Sequence, residues 1–220
     1  IVSKHTTLLK DADIARIFRE IMTACLNLQS PQRIGYLGPE CTFSHQAAMR
    51  HFGAGAHLDP CANIEDIFRA LRNQRIDYGI VPIENSTQGM INQTLDQLFH
   101  SNVQICGEMN LRIQHNFARR SDAQTCQIIY SHEQSLAQCH QWLTRHYPNV
   151  ATIAVASNAL AAQKATEDPH AAAICGQLAA EHYQLLIQDA GIEDFPNNTT
   201  RFVVLGHQKP NACGTDKTSI

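Results

Sequence analysis

The chain has 220 residues, 44% of them apolar, which is enough for a sizeable core in one or two domains. Lys and Arg number 17 against 20 Asp and Glu, for a net charge of −3 with no long basic run, so nucleic acid and anionic membrane surfaces are not expected as partners. No stretch approaches the roughly 18 uninterrupted apolar residues of a membrane span, and the first residues lack a signal-peptide pattern, which points to the cytoplasm.

The eight cysteines, at 25, 41, 61, 106, 126, 139, 175 and 213, include no C-x-x-C pair and read as thiols in a reducing compartment, most of them buried. The twelve histidines are scattered without an H-E-x-x-H pattern, so no local metal site is expected.

In chain order, 11–28 is the first predicted helix, with apolar side chains at 14, 17, 18, 21, 22, 25 and 28 on one face and Asp11 as its expected cap. So wide an apolar stripe needs a partner. "QSPQ" at 29–32 breaks the pattern. "RIGYL" (33–37) reads as a strand, and a helix follows from about Ser44 to Phe52. "NIEDIFRALRN" (63–73) is a helix capped by Asn63, "YGIVPI" (78–83) a buried strand, and "INQTLDQLF" (91–99) a helix. "VQICGEMNLRIQHNF" (103–117) reads as one long extended segment. "QIIYS" (127–131) is a strand, 133–146 a helix, and 150–156 a strand. A helix capped by Ser157, the strand "AAAIC", a helix over 177–186 and the strand "RFVVLG" complete the alternation.

This alternation predicts α/β layers with largely parallel sheets. It runs twice, before and after about residue 110, so two small α/β lobes with a cleft between them are expected. Ligands in such folds bind beyond strand ends or between lobes. Both ends of the chain read as cuts through a longer polypeptide.

Four loops after apparent strands carry polar residues. "GPECTFSHQAA" places Thr42 and Ser44 at a helix start, where unpaired N–H groups can take an anion. "PIENSTQG" places Glu84, Asn85, Ser86 and Thr87 after a buried strand, and "YSHEQSLAQC" places Ser131 seven residues before Gln138. "NNTTRF" places Thr200 and Arg201 where a loop becomes a strand. Singly, each has an ordinary reading: Ser44, Ser131 and Ser157 as helix caps, Glu84 as a solvated carboxylate, Arg201 as a surface cation tied to an acid. Together they point to a small polar ligand.

The stretches "IGYLGPECTFSHQAA", "DYGIVPIENSTQGMINQTLDQLF", "YSHEQSLAQC" and "NNTTRFVVLG" closely resemble the prephenate dehydratase family in order and spacing, over about 33–206. Cys41 stands where the family has glycine; if that position needs positive φ, cysteine costs about 1 kcal/mol or more. The resemblance implies a fold like that of type 2 periplasmic binding proteins, with a dehydratase domain over 32–208. One lobe would span about 32–110 plus 198–208 and the other about 111–197. Residues 1–30 resemble the end of a chorismate mutase domain, and 209–220 a linker and the opening of an ACT domain.

The resemblance implies conversion of prephenate to phenylpyruvate, water and carbon dioxide. Aromatisation drives the reaction, so no cofactor or metal is expected. Thr200 is implied as the key donor to the departing oxygen. Glu84 is the better acid if a dry cleft raises its pKa, and the sequence leaves the choice between them open. Arg201 could grip a substrate carboxylate or brace the loop from behind. Thr42, Asn85, Ser86, Thr87, Ser131 and Gln138 are expected to bind substrate, with Phe202 packed behind Thr200. The family is oligomeric, so a homodimer or higher assembly is expected. Arogenate dehydratase and a non-catalytic small-molecule binder remain as alternatives.

Overall fold

A computed structural model of the chain describes residues 10–29, 31–53 and 55–208. Helix α1 (Asp11–Gln29) starts one residue earlier than its expected cap allows. Lys10 takes the flanking place, and its carbonyl accepts from the N–H groups of Asp13 and Ile14. Asp11 and Asp13 instead lie in the first turn, where the helix dipole favours negative charge. Ile14 is buried, while Ile17, Phe18, Ile21 and Met22 stay exposed. The hydroxyl of Thr23 donates to the Phe52 carbonyl, tying α1 to the rest of the fold.

The first group of elements is β1 (Arg33–Leu37), α2 (Phe43–Phe52), β2 (His57–Cys61), α3 (Ile64–Arg72), β3 (Tyr78–Asn85), β4 (Gly89–Met90), α4 (Asn92–Phe99) and β5 (Gln104–Arg112). The second is β6 (Asn116–Arg119), β7 (Ile128–His132), α5 (Glu133–Gln138), α6 (His140–His146), β8 (Ala151–Val155), α7 (Asn158–Glu167), β9 (Ala171–Cys175), α8 (Gln177–His182) and β10 (Leu186–Ala190). The chain then returns as β11 (Thr199–Gly206).

The first sheet runs β2-β1-β3-β11-β5, with β4 on β3, and the second runs β10-β6-β9-β7-β8. Parallel pairing is confined to β1 with β2 and β3, and to β7 with β8 and β9. The remaining pairs are antiparallel, so the sheets are mixed rather than largely parallel. The cause lies in the two crossovers, 113–115 and 191–198, which carry the chain between sheets without an intervening helix; nothing there imposes the parallel direction of a βαβ unit.

Both faces of each sheet are covered. In the first, Ile67, Phe68 and Leu71 of α3 pack on Val81, Ile83, Val203 and Leu205, while Ala47 and Ala48 of α2 pack on Ile80, Phe202 and Val204. In the second, the small residues Ala161, Ala162 and Ala165 let α7 lie close to Ala171, Ala173 and Cys175. The aromatic side chains of Phe117, Trp142 and Tyr147 fill the other face.

Several sequence expectations change. The extended segment 103–117 is two strands, broken where it changes sheet. The helix over 133–146 breaks at Cys139 into α5 and α6. The helix expected to reach 186 stops at His182, and Gln184 at φ 54° turns the chain into β10. Strand β2 went unseen because "HLDPC" carries a proline, which an edge strand tolerates. The expected linker and ACT opening at 209–220 lie outside the described residues.

Candidate active site

A cleft of about 280 Å³ lies between the two sheets. The first half of the chain contributes Thr42, Phe43, Ser44, Asn85 and, through the returning strand, Thr200 and Phe202. The second contributes His132, Ser135, Gln138, Ser157 and Asn158, and the crossovers contribute His115 and Asn198. No Lys, Arg, Asp or Glu lines it among the described residues.

Two ten-residue helices begin at its wall. Thr42 caps α2 by accepting from the N–H of His45, and Ser157 caps α7 by accepting from the N–H of Leu160. The first N–H groups of each helix have no intrahelical partner and carry the positive end of its dipole. The cleft is therefore neutral in formal charge but rich in donors.

Strand alternation sorts the expected residues. Thr200 and Phe202 are two residues apart on β11 and face the cleft; Arg201 lies between them and points the other way. Arg201 Nε and Nη2 donate to Glu108 Oε2 at 3.0 and 2.7 Å, and Nη1 lies 3.8 Å from Glu84 Oε2. Glu84 sits opposite Arg201 in the β3–β11 register and shares its outward face. Neither side chain lines the cleft. The expectation of Glu84 as an acid in a dry cleft is thus corrected: the pleat that turns Asn85 inward turns Glu84 outward. Of the two readings of Arg201, the brace from behind fits this geometry and the grip on a substrate carboxylate does not.

Asn85 and Thr200 are partners in the same register, and Asn85 Nδ2 donates to Thr200 Oγ1 at 2.8 Å. No acceptor among the described side chains takes the Thr200 proton, and the residue is 8% exposed. Asn85 belongs to a closed ring of hydrogen bonds. Thr87 Oγ1 donates to Asn85 Oδ1 (2.6 Å), and Asn85 Nδ2 donates to Asn198 Oδ1 (2.9 Å). Asn198 Nδ2 donates to Gln138 Oε1 (3.1 Å), and Gln138 Nε2 donates back to Thr87 Oγ1 (3.1 Å). Gln138 belongs to the second half of the molecule and Asn85 to the first, so the ring ties the lobes together.

Ser86 and Ser131 stand outside the cleft. Ser86 Oγ accepts from the Thr199 N–H at 2.9 Å and fastens the start of β11 to the end of β3. Ser131 is fully buried, with Oγ 2.9 Å from both Asn158 Oδ1 and the Ile174 carbonyl. It positions Asn158, whose Nδ2 donates to Ser135 Oγ at 2.8 Å on the cleft wall. Ser131 lies at the end of β7 and Gln138 at the end of α5, and of the two only Gln138 lines the cleft.

The sequence reading missed His115, Asn158 and Asn198. Asn198 lies in the "NNTTRF" stretch that singled out Thr200 and Arg201, and His115 in the segment expected as one extended strand. Its neighbours Gln114 and Asn116 are also polar, so no local signal singled it out. His115 Nε2 lies 2.8 Å from Gln138 Oε1, the Phe43 ring meets its ring edge-on at 5.6 Å, and its backbone N–H donates to Glu193 Oε2 at 2.9 Å. Burial lowers its pKa, opposed by the bond to Gln138 and by Glu193.

At the Cys41 corner, φ is 64°, so the backbone is in the region that favours glycine. The Cys41 N–H donates to His45 Nδ1 at 2.9 Å, and the His45 ring stacks on Tyr36 at 4.8 Å. Burial raises the Cys41 thiol, so it is held in its protonated form. The seven described cysteines are free thiols, and no group of three or more His, Cys, Asp or Glu able to hold a metal lies among the described residues. Nor is any described helix long and apolar enough to cross a membrane.

Two mixed α/β sheets thus enclose a cleft that is neutral in formal charge and lined by polar side chains. The sequence profile of the prephenate dehydratase family matches residues 34–210, and the chain belongs to that family. It is 48% identical over 216 residues to the bifunctional chorismate mutase/prephenate dehydratase of Neisseria gonorrhoeae, covering 96% of this chain and 60% of that one. With the prephenate dehydratase of Bacillus subtilis it shares 35% identity over 180 residues, covering 79% of this chain and 63% of that one. The crystal structure of prephenate dehydratase from Arthrobacter aurescens in complex with L-Phe superposes with a TM-score of 0.76 at 31% identity, over 83% of this chain and 63% of that one. The chain thus spans about 60% of the length of the bifunctional relatives from Neisseria gonorrhoeae, Stutzerimonas stutzeri and Pseudomonas aeruginosa.

Proposed function

We propose that this chain dehydrates and decarboxylates prephenate to phenylpyruvate, with Thr200 as the donor to the departing oxygen. The observation that carries the reading is the Thr200–Asn85 pair: Thr200 Oγ1 already accepts from Asn85 Nδ2, so its own proton is available to the cleft. Accepting that bond also eases charge onto the threonine oxygen and makes its O–H a stronger donor.

In the reaction the bond from the ring to its carboxylate breaks and carbon dioxide leaves. The electron pair moves through the ring, the C–O bond at the far carbon breaks, and the oxygen leaves with its own hydrogen and one proton taken up from solvent, through the Thr200 hydroxyl, as water, so each turnover consumes one proton. Thr200 hydrogen-bonds to that oxygen as negative charge gathers on it. The unpaired N–H groups opening α2 and α7 supply positive potential for the two carboxylates of the dianion without a formal cation. Thr42, Asn85 and Gln138 complete the polar wall, and Phe202 lines the cleft on the same face of β11 as Thr200. Ser86, Thr87 and Ser131 act through their neighbours, and Arg201 braces the strand from outside. Glu84 has no part in this proton transfer.

Prephenate is preferred over arogenate because the latter carries an ammonium group, and the cleft wall offers no carboxylate to receive it. Incubation with prephenate, followed by phenylpyruvate absorbance, tests the reading, and a parallel kcat/KM for arogenate tests the preference. Binding of prephenate without turnover would leave a binder and overturn the enzyme.

The terminal resemblances extend the proposal. Residues 1–30 would be the last helix of a chorismate mutase domain and 209–220 the approach to an ACT domain, in a cytoplasmic homo-oligomer. The exposed side chains of Ile17, Phe18, Ile21 and Met22 support association. Light scattering should give a multiple of 24.5 kDa, and a monomer at micromolar concentration would contradict it.

A further inference from the structure

The ring of hydrogen bonds described above has a fixed direction. Thr87 has one hydroxyl proton, and at 2.6 Å it goes to Asn85 Oδ1, an oxygen with no hydrogen to give. Thr87 Oγ1 therefore accepts from Gln138, which makes the Gln138 atom facing it the amide nitrogen. The oxygen of Gln138 then faces both Asn198 and His115. Because that oxygen only accepts, His115 Nε2 must carry a proton. Burial disfavours a second proton on this imidazole. His115 Nδ1 is then a bare lone pair with no partner among the described residues, on a side chain that is 1% exposed and belongs to the lining of the cleft.

An acceptor buried without a donor is costly, and such atoms in native structures call for an explanation. A ligand donor supplies one here. Prephenate at neutral pH has two carboxylates and a ketone, all acceptors. Its single hydrogen-bond donor is the ring hydroxyl, the group that leaves.

We infer that His115 is a substrate-binding residue whose Nδ1 accepts a hydrogen bond from the ring hydroxyl of the substrate. The inference rests on the dehydratase reading above. Thr200 gives a hydrogen bond to the hydroxyl oxygen, and His115 takes the hydroxyl hydrogen. Held at both ends, the hydroxyl cannot rotate its lone pair away from Thr200. The same ring of bonds sets both partners: its spare Asn85 hydrogen makes Thr200 a donor to the cleft, and its spare Gln138 lone pair makes His115 an acceptor. As the departing oxygen gains a proton its hydrogens become more acidic, so the bond to Nδ1 strengthens along the reaction.

Two substitutions separate this role from a purely structural one. His115→Gln retains a donor for Gln138 and removes the acceptor at Nδ1. His115→Asn sets a carbonyl oxygen close to the Nδ1 position and gives up the donor to Gln138. The Gln variant should lose on the order of ten- to a hundredfold in kcat/KM, the effect of one buried hydrogen-bond partner, while the Asn variant retains most of its rate. The reverse order, or equal losses, would overturn the inference. Ring-saturated prephenate cannot aromatise and gives a binding test, made with and without its hydroxyl. Wild-type protein should bind the hydroxylated compound about tenfold or more tightly than the deoxy one, and the gap should close in His115→Gln; a gap that persists sinks the idea. In the intact wild type, the 15N resonance of His115 Nδ1 should move upfield with the hydroxylated analogue and not with the deoxy one. An unmoved resonance counts against it whether or not the variants fold. Wild-type protein that binds the analogues as described but leaves prephenate unchanged would overturn the dehydratase reading and spare the acceptor.

Discussion

Thr200 and Val have nearly the same shape, which makes the hydroxyl separable from the side chain's bulk. Thr200→Val should lower kcat by about 10²-fold or more, the usual cost of one donor to a transition state, with a smaller change in KM. Thr200→Ser keeps the donor and should retain substantial rate; equal impairment in both variants would assign Thr200 to packing. Cys41 offers a test of backbone strain. Glycine there relieves about 1 kcal/mol of left-handed strain and gives up about as much buried surface, so Cys41→Gly should leave the denaturation midpoint almost unchanged. Cys41→Val adds β-branching at φ 64° and should cost about 2 kcal/mol or more. At this scale the sequence was informative about residue types and silent about direction. "TTRF" marked Thr200, yet the outward turn of Glu84 and Arg201 follows from a register between β3 and β11 that no local pattern encodes. His115 was hidden for a similar reason, since its function depends on partners 23 and 78 residues away.

Helix α3 lies unusually close to the strands beneath it. A Cβ at Gly79 would fall 2.6 Å from Ile67 Cγ2 and 3.1 Å from Leu71 Cδ1, both in fully buried residues. Gly79→Ala should therefore destabilise by about 1–3 kcal/mol through overpacking, read as a lower midpoint in denaturant. Gly55, whose Cβ would meet nothing within 4 Å, is the control and should tolerate alanine. Elements with strong periodicity or a clear cap were legible in the sequence: α3 behind Asn63, α7 behind Ser157, and the buried strands β3, β9 and β11. The elements that escaped are edge strands with one buried face or none. Four of the five residues of β8 are exposed, yet it was expected to within one residue at each end, whereas the proline of β2 and the polar residues of β10 erased the signal.

Two imidazoles, His115 buried and His45 half-buried, give the whole molecule a pH dependence. Burial lowers the pKa of His115 against the pull of Gln138 and Glu193, and it lowers that of His45 with help from His182 and against Glu40. Each is neutral in the fold and takes up a proton more readily when unfolded. The unfolded chain thus binds more protons below the ordinary histidine value of about 6.5, so stability should be level above that pH and fall as pH drops beneath it. Protonating His45 also removes the acceptor of the Cys41 N–H. Denaturation midpoints at pH 7.5 and 5.5 would show the decline, and His115→Gln should make it shallower; a midpoint that rises on acidification would contradict it. The position of β11 between β3 and β5 carries a consequence for synthesis. A ribosome releases 33–112 first, but that stretch lacks the strand that belongs in its middle, and β3 and β5 have nothing to join them. Residues 116–190 contain every strand of the other sheet and can fold as soon as they emerge. The half begun first is finished last, and the strand that completes it brings Thr200, so a nascent chain holds no complete cleft until β11 has emerged and paired.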